Sequence, residues 1–255
     1  MSDTVKAYLK HQLSFSGRLR YIQAQRNMED LHDLSRPLTI LDAAGGNGIN
    51  TEFLAGLGHN VTLLDYEQGM IDEAKERLGK EGLLDKCRFK LGRLEELDQV
   101  FTDERFDLIL CHHVIEYLKD PAAVFSSFNR LSNPGGQLSL ITINPASEVI
   151  RAIIFKQDPA GAKEKLSNLY YDAKWFGDST LYTLDQQKSQ LDQGGWEAKD
   201  FRAIRVFADY IPEKGLTSEK EDDIISLELS VADAEPYRNI GRYIQFCCVK
   251  KRESS

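Results

Sequence analysis

A chain of 255 residues, 42% of them apolar, suits one large domain or a core carrying an insertion. Its formal charge of −8 argues against broad, sequence-blind binding of nucleic acid, though not against a local basic patch. It holds no run of about 18 apolar residues, so no transmembrane helix is expected, and MSDTVKAYLKHQLSF lacks a signal-peptide core, which makes a cytoplasmic location the expectation.

Residues 1 to 36 read as an N-terminal helical arm anchored by Tyr8, Leu13, Leu19, Ile22 and Met28. Lys6, Lys10, Arg18, Arg20 and Arg26 face only Asp3 over its first 26 residues. Such an arm is either an ordinary solvated face, a phosphate-facing surface or a lid over a bound molecule.

The next stretch, Leu38 to Asp65, organises the chain. Leu38 to Leu41 is a short apolar run of buried-strand type, closed by Asp42. Ala43, Ala44, Gly45, Gly46, Asn47 and Gly48 form a small-residue turn. Ile49, Phe53, Leu54 and Leu57 recur at helical spacing, Gly58 stops the helix, and Asn60 to Leu64 is a second strand ending in Asp65. A turn free of bulky side chains lets backbone N–H groups approach a ligand, and an acid at the second strand's tip can accept from both hydroxyls of a ribose. The order therefore points to a nucleoside-containing cofactor; the plainer alternative is a tight turn with no ligand. A dinucleotide fingerprint needs G-x-G-x-x-G, whereas here Ala44-x-Gly46-x-Gly48 follows Asp42.

Residues 68 to 82 form an amphipathic helix on Met70, Ile71, Ala74 and Leu78. Met70 either packs against a base or is a plain core methionine. CRFKL at 87 to 91 is a third strand, followed by Gly92, Arg93, Leu94 and Glu95. FDLILC at 106 to 111 is the fourth, and His112, His113 and Glu116 follow at the ligand-binding end of such a sheet. His112 is a candidate to touch the cofactor or the substrate, with a pKa that permits general-base work; the alternative is a loop histidine bonded to backbone. Two adjacent histidines without a third ligand do not make a metal site, and none is expected. Pro121 starts a helix, Asn133 to Gly136 is a turn, and LSLITI is the fifth strand.

Residues 145 to 180 break the α/β rhythm. Arg151, Lys156, Lys163, Lys165 and Lys174 alternate there with Phe155, Tyr170, Tyr171, Trp175 and Phe176, against Asp158, Glu164 and Asp172. The mixture suits splayed nucleobases, or an insertion that caps the sheet with aromatic packing. A helix from Thr183 to Gly195, a sixth strand within AKDFRAIRVFADYIP, an acidic helix from Ser218 to Leu229 and a last strand, GRYIQFCCVKK, complete the chain before a frayed tail, KRESS. Cys87, Cys111, Cys247 and Cys248 include no C-x-x-C pair and read as reduced thiols without zinc or disulfide, the last two facing opposite sides of a strand.

Asp42 with Ala44-x-Gly46-x-Gly48 resembles motif I of the class I S-adenosylmethionine-dependent methyltransferases, with alanine in place of the first glycine. GRLR at 17 to 20, LDAAGGNG at 41 to 48, CHHVIEYLKDP at 111 to 121, IRVFADY, and EPYRNIGRYIQF resemble the bacterial tRNA carboxymethoxyuridine methyltransferases; residues 145 to 180 match poorly. The resemblance implies a seven-stranded, mostly parallel, doubly wound α/β sheet of Rossmann-like form, with an insertion after strand five and one methyltransferase domain over residues 1–255. It implies S-adenosyl-L-methionine as cofactor, lined by Arg20, Ala44, Gly45, Asp65, Leu94, Glu95 and His112. The placement of Asp42, Gly46, Gly48, Tyr66 and Met70 around the turn and the acid adds them to the same candidate site. Arg93 departs from the acid common in this loop. The implied acceptor is the carboxylate of a modified wobble uridine, and Arg205 and Arg242 are candidates to grip it bidentately, with Tyr210 and Tyr243 beside them; each arginine is alternatively a structural ion pair. No side chain is assigned a catalytic role. The expected partner is tRNA, or a small-molecule acceptor; a third reading is a cofactor-binding module without catalysis.

Overall fold

The computed structural model describes residues 3–173 and 177–252, except for the side chains of 3–5, 172–173 and 177–178. The N-terminal stretch is two helices, α1 (Asp3–Gln12) and α2 (Phe15–Leu31), where a single arm is expected. At the break, a Cβ on Gly17 would lie 2.3 Å from the His11 carbonyl oxygen, so only glycine fits. Leu19 and Met28 are buried as expected. Leu13 and Ile22 are not, being 73% and 38% exposed. Leu13 falls in the break, and Ile22 faces away from the buried stripe of Leu19, Gln23, Ala24, Asn27 and Met28. The basic face is also less open than its composition suggests: Arg18 pairs with Glu221 at 2.6 Å, and Arg20 is buried.

Alternating elements follow: β1 (Thr39–Ala43), α3 (Ile49–Gly56), β2 (Asn60–Asp65), α4 (Gln68–Lys80), β3 (Cys87–Leu91), the short α5 (Leu97–Val100), β4 (Phe106–His112), α6 (Pro121–Leu131) and β5 (Ser132–Ile143). Asn133 to Gly136, expected as a turn, lies within β5. Ser132 is already extended where α6 ends, yet the chain does turn there: Gly135 takes a φ of 73°, and a Cβ on Gly136 would lie 2.9 Å from the Asn133 carbonyl oxygen. The insertion is α7 (Pro145–Lys156), α8 (Pro159–Glu164), β6 (Tyr170–Ala173) and β7 (Gly177–Thr180); Lys174, Trp175 and Phe176 lie outside the described residues, as do residues 253–255 of the tail. Asn144 and Asp158 cap α7 and α8, each followed by proline at the first helical position. The chain closes with α9 (Leu184–Gln193), β8 (Trp196–Ile204), α10 (Ser218–Val231) and β9 (Tyr243–Lys250).

Among the described residues, seven strands form a mostly parallel sheet in the order β3-β2-β1-β4-β5-β9-β8, and β6 and β7 form an antiparallel pair. β1 pairs in parallel with β2 on one side (Ala43 with Leu64) and β4 on the other (Ala43 with Cys111). Chain order reverses at β1, the position where open α/β sheets bind ligands at their carboxyl ends.

The chain divides into two compact units. One comprises residues 28–140, 188–200 and 246–255. Its core joins Leu38, Ile40, Leu54, Val61, Leu108 and Leu110, which strands covered on both faces require. The other comprises residues 1–27, 141–187 and 201–245. Phe15, Leu19, Ala208 and Ile224 form one of its cores, and Ala203, Val206 and Val231 another. All four cysteines are free. Burial pushes the Cys87 and Cys247 thiols up to about 11, and Cys111 and Cys248 further. No described helix is long and apolar enough to cross a membrane.

Candidate active site

In the unit that contains β1 to β4, the turn after β1 is shaped by backbone. The Gly45 N–H donates to the Leu64 carbonyl at 3.0 Å, tying the turn to β2. A Cβ on Gly45 would stand 2.8 Å from the Asp42 carboxyl carbon, and one on Gly48 2.9 Å from Ala74 Cβ. Gly46 has nothing within 4 Å of that position, so its backbone faces open space. Ala44, at the first glycine position of the motif, adopts a φ of 61°, the left-handed region that costs an alanine about 1 kcal/mol or more.

The acid at the tip of β2 is held by amides. Asp65 Oδ2 accepts from the Gly46 N–H and Oδ1 from the Glu67 N–H, both at 2.9 Å. Burial raises its pKa above the usual carboxylate range despite these bonds. Asp42 is fully enclosed: burial pushes its carboxyl up to about 6, against a 2.7 Å bond from the Thr51 hydroxyl. Tyr66 presents a half-exposed ring with the Arg93 guanidinium 5.0 Å from its centroid. Met70 and Leu94 are buried, and Glu95 is exposed.

His112 is the last residue of β4. Its Nδ1 lies 3.1 Å from Asn50 Nδ2 and its Nε2 2.9 Å from Ser139 Oγ, side-chain partners rather than the backbone expected of a loop histidine. An imidazole with both nitrogens engaged by side chains is a placed group. Asn50, Thr51 and Ser139 are the partners that sequence spacing does not reveal. Among the described residues no group of His, Cys, Asp and Glu could hold a metal ion.

The other unit is built from side-chain charge. Arg205 donates through Nε to Asp209 Oδ1 at 2.6 Å and again through Nη2. Arg151 Nη1 donates to Asp209 Oδ2 at 2.6 Å. Arg242 donates to Glu148, to Ser147 Oγ at 3.1 Å and to the Tyr171 hydroxyl at 3.0 Å. Both Arg205 and Arg242 lie over the Tyr243 ring, 5.6 and 5.5 Å from its centroid. Tyr210 stacks on Phe155, centroids 5.9 Å apart, and Arg151 covers Phe155 at 5.1 Å. The expected arginines are therefore both ion-paired, and neither offers a solitary bidentate fork. What they form with Arg151 is a network of three guanidinium groups and two carboxylates, with one positive charge in excess. Arg151, Glu148 and Asp209 carry no local motif that would announce them.

Arg20 is a second unbalanced cation. It is buried, and its guanidinium donates to the Tyr8 and Tyr21 hydroxyls at 3.3 and 3.1 Å while Nε finds no acceptor. None of its partners among the described residues is a carboxylate.

Residues 41–140 match the model of a methyltransferase domain. Over 212 residues the chain is 32% identical to the tRNA 5-carboxymethoxyuridine methyltransferase of Escherichia coli strain K12, covering 81% of this chain and 78% of that one. The chain belongs to the S-adenosylmethionine-dependent methyltransferases. This methyltransferase is also 32% identical to a ubiquinone biosynthesis O-methyltransferase of Coxiella burnetii, over 127 residues and 50% of each chain. Its fold matches an S-adenosylmethionine-dependent methyltransferase from Mesorhizobium loti (TM-score 0.62, 15% identity, 88% of this chain and 96% of that one). It also matches the Burkholderia thailandensis 1,6-didemethyltoxoflavin-N1-methyltransferase bound to S-adenosylhomocysteine (TM-score 0.58, 16% identity, 90% and 79%).

The methyltransferase uses S-adenosyl-L-methionine, and its own groups fit an adenosyl sulfonium. Gly46 offers a side-chain-free approach, Asp65 an acceptor for hydroxyls, and Tyr66 an apolar face. Nothing in the turn provides the longer glycine spacing that a pyrophosphate needs.

Proposed function

We propose that this enzyme methylates the carboxylate of a 5-carboxymethoxyuridine at the wobble position of tRNA, in the cytoplasm, giving the methyl ester. The carrying observation is the guanidinium excess around Arg151, Arg205 and Arg242. The surplus of guanidinium over carboxylate, partly open at Arg151, favours an anionic occupant. The 32% identity to the Escherichia coli tRNA enzyme supports this acceptor.

When bound, S-adenosylmethionine supplies a methyl group already activated on its sulfonium. The residues assigned to hold it are Asp42, Ala44, Gly45, Gly46, Gly48, Asp65, Tyr66, Met70, Leu94, Glu95 and His112. Arg20, in the other unit, is assigned to the cofactor by the resemblance alone. Arg205 and Arg242, helped by Tyr210 and Tyr243, hold the acceptor carboxylate through the N–H donors that Asp209 and Glu148 leave free. A carboxylate is ionised at neutral pH and needs no base, in keeping with a His112 whose nitrogens are both engaged. What remains is orientation, which supplies roughly 7–11 kcal/mol when reacting atoms are held at attack distance.

Nucleoside mass spectrometry of tRNA from a deletion strain tests the reading. Loss of the wobble-uridine methyl ester, restored by the wild-type gene, is the expected result; an unchanged level refutes it. A small-metabolite acceptor is the second reading. It is favoured by the charge of −8 and by the likeness to the Coxiella burnetii O-methyltransferase.

A further inference from the structure

The unit that carries the guanidinium network also contains a fully buried carboxylate, Glu228, whose hydrogen bonds among the described residues come from amides rather than from a cation. It is aimed instead at backbone. Its Oε2 accepts from the Val206 N–H at 2.7 Å, and its Oε1 from the Phe207 and Ala208 N–H groups at 2.8 and 2.7 Å. Gln23 completes the set: its Nε2 reaches Glu228 Oε2 at 3.4 Å, and its Oε1 accepts the Arg205 N–H at 2.9 Å. Four consecutive amides, 205 to 208, are thus gathered onto one carboxylate and the amide it holds.

That grip explains an unfavourable backbone. Arg205 has a φ of 60°, a left-handed conformation that a long side chain seldom adopts and that persists only where surrounding bonds enforce it. The turn so fixed leads into the helical turn Ala208–Tyr210 and sets Asp209 beneath the Arg205 guanidinium. Asp209 in turn receives Arg151, while the Arg205 carbonyl accepts the Arg242 N–H at 2.8 Å. Every member of the guanidinium network except Glu148 is reached through the segment that Glu228 holds.

We propose that Glu228 is the positioning residue of the acceptor site: its carboxylate, with Gln23, folds the 205–208 backbone into the shape that aims Arg205 and Asp209, and through them Arg151 and Arg242. It touches neither substrate nor cofactor, and its acceptor role rests on the function proposed above.

Glu228→Gln tests it. A carboxamide accepts at one end only, and its NH2 group opposes the Val206 N–H. Hydrogen exchange, which needs no acceptor, comes first: amides 206–208 are expected to exchange at least about tenfold faster, with the turn after β1 unchanged. With tRNA bearing 5-carboxymethoxyuridine as probe, KM should rise about tenfold while the S-adenosylmethionine Kd from calorimetry stays within about twofold. Unchanged exchange overturns the proposal; so does faster exchange with KM for that tRNA unmoved, or a cofactor Kd that weakens in parallel. If the wild type does not methylate this tRNA, the acceptor assignment falls, and exchange alone still decides whether Glu228 holds the segment. Should Glu228→Gln not fold, Gln23→Ala removes the acceptor for the Arg205 N–H and the amide donor to Glu228 but keeps the three bonds from 206–208, and the same readouts should move in the same direction by less.

Discussion

The two units solve recognition by different means. Around β1 the candidate site is backbone: an open glycine, a turn tied to β2, and one carboxylate held by two amides. In the other unit the candidate site is a net of long charged side chains that hold one another. A backbone site tolerates loss of most single side chains, because its donors belong to every residue. A charge net does not, since removing one member strands its partners in a low-dielectric setting.

The sharpest way to break this contrast is Arg242→Ala. It removes the close partner of Glu148, leaving only Arg151 Nε at 3.7 Å among the described residues, and should cost about 3 kcal/mol in urea denaturation, with the acceptor KM raised and the cofactor Kd unchanged. A cost below about 1 kcal/mol would mean that the net is slack. On the other side, Asp65→Ala is the one side-chain change expected to matter greatly. It removes the hydroxyl acceptor and frees the Gly46 and Glu67 amides, weakening S-adenosylmethionine binding by about 10- to 100-fold in calorimetry. Equal affinity in both proteins would remove the ribose role.

Asp42 gives a pH test. Its folded-state pKa, pushed up by burial to about 6, lies above the unfolded value of 3.8, so the native state binds the proton more tightly. Its contribution to stability is complete below pH 3.8 and is lost as pH rises through 6. Asp42→Asn keeps an acceptor for Thr51 and loses the charge. It should be more stable than wild type at pH 7 by up to about 3 kcal/mol and nearly equal at pH 4, by denaturation at the two values. The smallest effect is Ala44→Gly, which relieves the left-handed φ of 61° at the cost of a freer unfolded chain. A gain of no more than about 1 kcal/mol in thermal melts is expected.

How much of this was legible in sequence follows from the same contrast. The turn after β1, its flanking strands and the acid at Asp65 lie within 28 residues, and each signals itself by size, period or charge. The charge net takes members from α7, the segment after β8 and the residue before β9. No local pattern links such positions, so Arg205 and Arg242 were nameable as residues, but their partners Glu148 and Asp209 were not. Helix phase misled at Leu13, because the break before α2 depends on a close approach at Gly17 that periodicity does not register. The turn at Asn133 to Gly136 was legible, because Pro134 and Gly135 carry their turn preference locally, and Gly135 takes its positive φ within the bounds of β5.

The four thiols, three buried and Cys87 half-buried, carry a practical corollary. With Cys87 and Cys247 near 11 and the other two higher still, only about one such group in ten thousand or fewer is ionised at neutral pH, and peroxide attacks the ionised form. The enzyme should thus go on working through an oxidative burst, and keep its activity on the bench without added reductant.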